Sequence, residues 1–147
     1  MKTTLFRSGL AGFAAAALLV AAPAAFAETQ TYKATLTSAA EVPPNASKGT
    51  GTLASTYDTA TKKLTWTVTF TGLSGPATAA HFHGPADAKG NAGVVVPQKD
   101  GLTSPMKGEA TLTDAQAADL MAGKWYFNIH TEANKGGEIR GQAMKGM

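Results

Sequence analysis

Lys63-Leu64-Thr65-Trp66-Thr67-Val68-Thr69-Phe70-Thr71 alternates apolar and hydroxyl side chains without a break. Side chains of an extended chain point to opposite faces in turn, so Leu64, Trp66, Val68 and Phe70 lie on one face and the threonines on the other. That is the pattern of a strand with one side on a core and one toward water. A second such run, Trp125-Tyr126-Phe127-Asn128-Ile129-His130, sets Trp125, Phe127 and Ile129 against Tyr126, Asn128 and His130. Around these two, shorter extended runs recur between turn residues. They are Gln30 to Thr37 with Tyr32, Ala34 and Leu36 on one face, Gly49 to Tyr57, Thr78 to His83, a short buried run Val94 to Val96, Met106 to Leu112, and Glu138 to Ala143. Many short strands with turn signals between them predict an all-β sandwich or barrel.

Two segments interrupt the strands. Glu41-Val42-Pro43-Pro44-Asn45 cannot extend a ladder, because proline has no backbone donor. Thr113 to Ala122 reads as one short crossover helix, with Thr113 at the cap, Gln116 at the capping-box position and Gly123 ending it.

The first residues follow another logic. Lys2 and Arg7 precede an apolar run from Gly9 to Ala22, and Ala25-Phe26-Ala27 is a small-x-small cleavage site. This is the layout of an export signal, so residues 1–27 are set apart and 28–147 are read as a single domain. The loss of Lys2 and Arg7 takes the basic residues from 13 to 11 against 10 acidic ones, which removes the case for nucleic-acid binding. No second apolar stretch is long enough to span a bilayer. With no cysteine, neither a disulfide nor a thiolate metal site is available, and without a G-x-S-x-G no nucleophilic triad is assigned. No catalytic residue is named.

Chemistry concentrates in the histidines, of which there are only three. His81 and His83 flank Phe82 and share a strand face roughly 7 Å apart, and His130 lies on the polar face of the second strong strand. Two readings follow from this spacing: three ligands for a metal ion, or three half-exposed sheet histidines. Glu138, Arg140 and Gln142 alternate onto what would be the same polar surface. Asn128, Glu132 or Glu138 could orient the rings from behind. Three imidazoles suit copper, with zinc as the alternative, since both favour nitrogen donors and the affinity order favours copper. Met144 and Met147 in the terminal residues 144–147, read as a loose tail, carry thioethers that prefer Cu(I); an ordinary frayed end is the plainer reading.

Ala80-His81-Phe82-His83-Gly84-Pro85-Ala86, the Leu112 to Gly123 segment with its Leu-Met-Ala-Gly ending, and Trp125 to Thr131 followed by Gly136-Gly137-Glu138-Ile139-Arg140-Gly141-Gln142 together resemble the chordin-type domain, CHRD. The resemblance covers a core from 31 to 143. It implies an extracytoplasmic immunoglobulin-like Greek-key sandwich or barrel, related to the copper/zinc superoxide dismutase fold. In that comparison His81, His83 and His130 correspond in kind and order to copper ligands, and Arg140 loosely resembles an anion-guiding arginine. This chain departs from the dismutases in having no bridging histidine, no zinc-loop cluster and no cysteine pair. The functions then expected are periplasmic or secreted metal storage, delivery or protection, a β-sandwich module that binds another exported protein, or redox chemistry on small oxygen species.

Overall fold

The computed structural model describes residues 27–146; the expected leader lies outside them except for Ala27. Strands β1 (Thr29–Thr37), β2 (Thr50–Asp58) and β3 (Lys63–Thr71) form an antiparallel meander in continuous register. Its inner face carries Tyr32, Leu36, Leu53, Leu64, Trp66 and Val68, all buried, while Phe70 at the end of β3 is only partly covered. On the outer face threonine hydroxyls pair across strands, Thr52 with Thr69 at 2.8 Å and Thr56 with Thr65 at 2.7 Å. Such cross-strand pairs help fix the register that the buried face requires.

The remaining strands are β4 (Ala77–His83), β5 (Val94–Pro97), β6 (Met106–Thr111), β7 (Tyr126–Thr131), β8 (Ile139–Gln142) and β9 (Met144–Lys145). Their order is β5-β4-β7-β8-β1-β2-β3-β6, with β9 pairing β1, so the sheet curls into a nearly closed barrel whose free edges are β5 and β6. Gln98, just past β5, stitches that seam. Its Nε2 donates to the carbonyls of Asp100 and Lys107, and its Oε1 accepts from Trp66 Nε1 at 2.7 Å. Gly108 on β6 is required there, since a β-carbon would collide with the Trp66 indole.

Helix α1 (Asp114–Met121) carries the chain from β6 back to β7. Its N-terminus has both halves of the capping box: Thr113 Oγ1 accepts from the Gln116 amide, and Gln116 Oε1 accepts from the Thr113 amide. Gly123 ends it at φ +70°, a conformation that favours glycine. The helix buries only Ala117 and Leu120, so it is a connector rather than a core layer.

Three expectations change. Val94 to Val96 is an edge strand rather than a buried one: only Val96 points inward, and Val94 is 50% exposed. The terminal segment is not loose, since Met144 and Lys145 pair with Lys33 and Tyr32 and the Gly146 amide donates to the Thr31 carbonyl at 2.8 Å. Met147 lies outside the described residues. Finally, the polar face of β7 is not open to water: Tyr126 and Asn128 are both buried, beneath the segments that carry Asn91 and Glu41. Among the described residues no helix is long and apolar enough to cross a membrane.

Candidate metal centre

Strands β4 and β7 are neighbours, with His81 opposite Asn128 and His83 opposite Tyr126, and a register irregularity near Ala77–Ala79 brings His130 opposite Ala79. The inner side chains Phe82, Phe127 and Ile129 are fully buried, which fixes the intervening residues on the other face. The three imidazoles therefore meet. The His81 and His130 rings are 5.0 Å apart between centroids, His81 and His83 5.4 Å, and His83 and His130 6.3 Å. One ligand nitrogen from each lies within 4.8 Å of the others.

Backbone carbonyls decide which nitrogens are free. A carbonyl can only accept, so His83 Nδ1 donates to the Ala92 carbonyl at 2.9 Å and His130 Nδ1 donates to the Lys135 carbonyl at 2.9 Å. In the neutral rings this leaves the lone pair on Nε2 of both. His83 Nε2 is buried and has no hydrogen-bond partner among the described residues. His130 Nε2 faces His81 Nδ1 at 3.2 Å and Asn128 Oδ1 at 3.0 Å. Burial, together with the neighbouring histidines, holds His81 below its ordinary range, and burial does the same for His83. Both rings are thus biased toward the neutral form that binds metals.

His83 is the correction here: it leaves the core face, as its parity requires, yet is only 9% exposed. The cover is the segment from Gly84 to Gly93, and Arg140 holds it down. The Arg140 guanidinium donates to Asn91 Oδ1 at 2.9 Å and to the carbonyls of Gly90 (2.6 Å) and Asp87 (3.4 Å). It also lies 3.3 Å from the Tyr126 ring centroid, while that ring stacks parallel to His83 at 4.9 Å. At 1% exposure Arg140 is buried and cannot meet an incoming anion; it supports the wall that aims His83.

The carboxylates fall elsewhere. Glu132 is exposed and pairs with Lys135 at 2.8 Å. Glu138 precedes β8, its amide donates to the Ile129 carbonyl, and its oxygens accept from Ser47, Ser74 and Thr131 rather than joining the face of Arg140. The carboxylate that does stand behind the histidines is Glu41, which the sequence reading left in a proline-bounded loop. It is buried, faces Asn128, and has an Oε1 with no hydrogen-bond partner among the described residues; burial pushes its carboxyl up to about 7, against the opposing pull of Arg140 and Asn128. The one available signal was an acidic residue beside two prolines, a place where a solvated charge and a buried one look alike.

The histidine set fits a nitrogen-preferring ion. Metal–nitrogen bonds near 2.0 to 2.1 Å put neighbouring donors about 2.9 Å apart at a right angle and about 4.1 Å apart when opposed. The 3.2 Å contact falls in that range, and the widest separation, 4.8 Å, closes with ring movements smaller than an ångström. The CHRD domain family matches residues 32–143. No curated protein and no solved structure matches the chain.

Proposed function

The chain belongs to the CHRD domain family, and from that membership we propose that it is an exported domain that binds one transition-metal ion, copper ahead of zinc, through His81, His83 and His130. Its role would be metal storage, delivery or protection outside the cytoplasm. The observation that supports this reading is a surplus of lone pairs. Among the described residues His83 Nε2, His130 Nε2 and Asn128 Oδ1 converge, and the one ring proton directed at them is that which His81 can place on Nδ1. Converging acceptors repel one another unless a cation sits among them. Soft or borderline divalent ions match three imidazoles, whereas calcium and magnesium require oxygen cages.

The test is copper titration of residues 28–147, freed of metal beforehand. One Cu(II) per chain should bind, with nitrogen hyperfine structure in its paramagnetic resonance spectrum. His81→Ala, His83→Ala and His130→Ala should each weaken binding by about 100-fold, because a chelate loses its advantage when any arm is removed. Met144→Leu should leave it unchanged. Weak copper uptake that is indifferent to which histidine is missing would favour the other reading, a sandwich module that binds another exported protein. Export has its own measurement: the intact mass of the protein recovered outside the cytoplasm should correspond to a chain beginning at Glu28, and a mass that includes residues 1–27 would overturn signal removal.

A further inference from the structure

The geometry points to Asn128 as a fourth donor of the metal centre, through its side-chain oxygen, with Glu41 as the positioning residue that aims it. The inference rests on the three-histidine reading and extends it to the chemistry of the whole coordination sphere.

Asn128 sits directly across from His81 on the neighbouring strand and is 97% buried. Its Oδ1 is 3.0 Å from His130 Nε2, and its side chain also faces His83. The His130 contact is with a nitrogen whose ring proton is committed elsewhere, to the Lys135 carbonyl, and the His83 ring proton is likewise committed, to the Ala92 carbonyl. An amide oxygen facing the lone pair of a ring nitrogen is not a satisfied hydrogen bond. It is the arrangement of a ligand set around a cation, and 3.0 Å is the spacing of adjacent donors in such a set.

The amide must also be oriented, because an asparagine rotated by half a turn would present NH2 to the histidines and fill their lone pairs. Glu41 prevents this. A β-carbon at Gly137 would collide with both Glu41 Oε1 and Asn128 Nδ2, so the carboxyl and the amide nitrogen face each other across the space that the glycine leaves. Carboxylate oxygens accept and the amide nitrogen donates, so the favourable pairing turns Nδ2 to Glu41 and Oδ1 to the centre. In its ionised form the Glu41 carboxyl behind the amide also draws electron density toward Oδ1, as outer partners do for metal-bound histidines. Gly137, at φ +128°, leaves the space in which this pairing fits.

The centre is then three nitrogens and one neutral oxygen, which suits Cu(II) and Zn(II) and gives no thioether for Cu(I). The experiment is double resonance on the Cu(II) form of residues 28–147 labelled with carbon-13 at asparagine Cγ. A bound Oδ1 places Cγ about 3 Å from the copper, so one resolved carbon coupling is expected. Asn128→Leu should abolish it and weaken copper binding by about 10-fold or more, while Asn128→Asp, which keeps an oxygen, should retain most of the affinity. Glu41→Gln should diminish the coupling with the nitrogen pattern intact, an effect that simple loosening of the fold does not produce. A labelled parent that binds copper through three nitrogens but shows no carbon coupling would overturn Asn128 as a donor and leave the histidine reading standing. A parent that binds no copper would remove both. The coupling is read on the unaltered chain, so it decides the matter even if the Asn128 variants fail to fold.

Discussion

Alanine at Trp125 is expected to cost the domain about 3 to 5 kcal/mol of stability, the range for removing a fully buried aromatic side chain. Trp125 is 0% exposed, 5.6 Å from Phe82 between ring centroids, and so closely covered by Gly84 that a β-carbon there would come within 2.5 Å of the indole. The surrounding backbone therefore has little freedom to collapse into the space. Trp66→Ala should cost a similar amount: its ring meets Phe82 edge-on at 5.2 Å and its Nε1 donates to Gln98, so the barrel seam loosens as well. Phenylalanine separates the two sites. Trp125 Nε1 has no hydrogen-bond partner among the described residues, so Trp125→Phe gives up volume alone, whereas Trp66→Phe also leaves Gln98 Oε1 without its donor. Urea midpoints of the four variants measure this. Alanine variants that unfold with the parent would mean that the two indoles do not lie in the core.

The placement of those tryptophans was legible because alternation is a local signal and each strand carries it alone. Leu64, Trp66 and Val68, like Trp125, Phe127 and Ile129, are where period two puts them. The H-x-H pair and His130 were legible for the same reason: parity places them off the core, and adjacency of β4 and β7 does the rest. What parity could not show is what lies over a face. His83 and Asn128 are buried by Gly84 to Gly93 and by Glu41, segments without periodicity whose position depends on contacts distant in sequence, such as Arg140 to Asn91 and Asn91 to the Val42 carbonyl. The two carbonyls that set the histidine tautomers belong to Ala92 and Lys135, and backbone groups leave no trace in residue identity. Likewise β9 is too short to alternate, and Glu138 lies just outside the regular ladder of β8, so the parity that would have put it beside Arg140 does not apply.

Glu138 carries the second large effect, through pH. Its carboxylate is wholly buried where the segments around Ser47 and Ser74 meet Thr131. Burial alone would raise its pKa, but the hydroxyls of Ser47, Ser74 and Thr131 and the Ser74 amide, which donates at 2.7 Å, outweigh it and hold the carboxyl at about 2, below the ordinary 4.5. A carboxyl whose folded pKa is depressed stabilises the fold above its unfolded value, and that stability is lost as pH falls through the window from 4.5 toward 2. The full shift corresponds to about 3 kcal/mol, and solvent reaching the partly exposed Ser47 and the exposed Ser74 beside it screens this to about 2 kcal/mol. Glu138→Gln should therefore be about 2 kcal/mol less stable than the parent at pH 7, and the difference should shrink toward zero near pH 2. Glu138→Ala should cost more at neutral pH, because four donors, from Ser47, Ser74 and the buried Thr131, then lose their acceptor. Urea unfolding of parent and variants at pH 7, 4 and 2.5 gives the answer by subtraction, since the other acids titrate alike in each. A gap between parent and Glu138→Gln that stays constant across that range would show that the ionised carboxylate is not what holds these segments together.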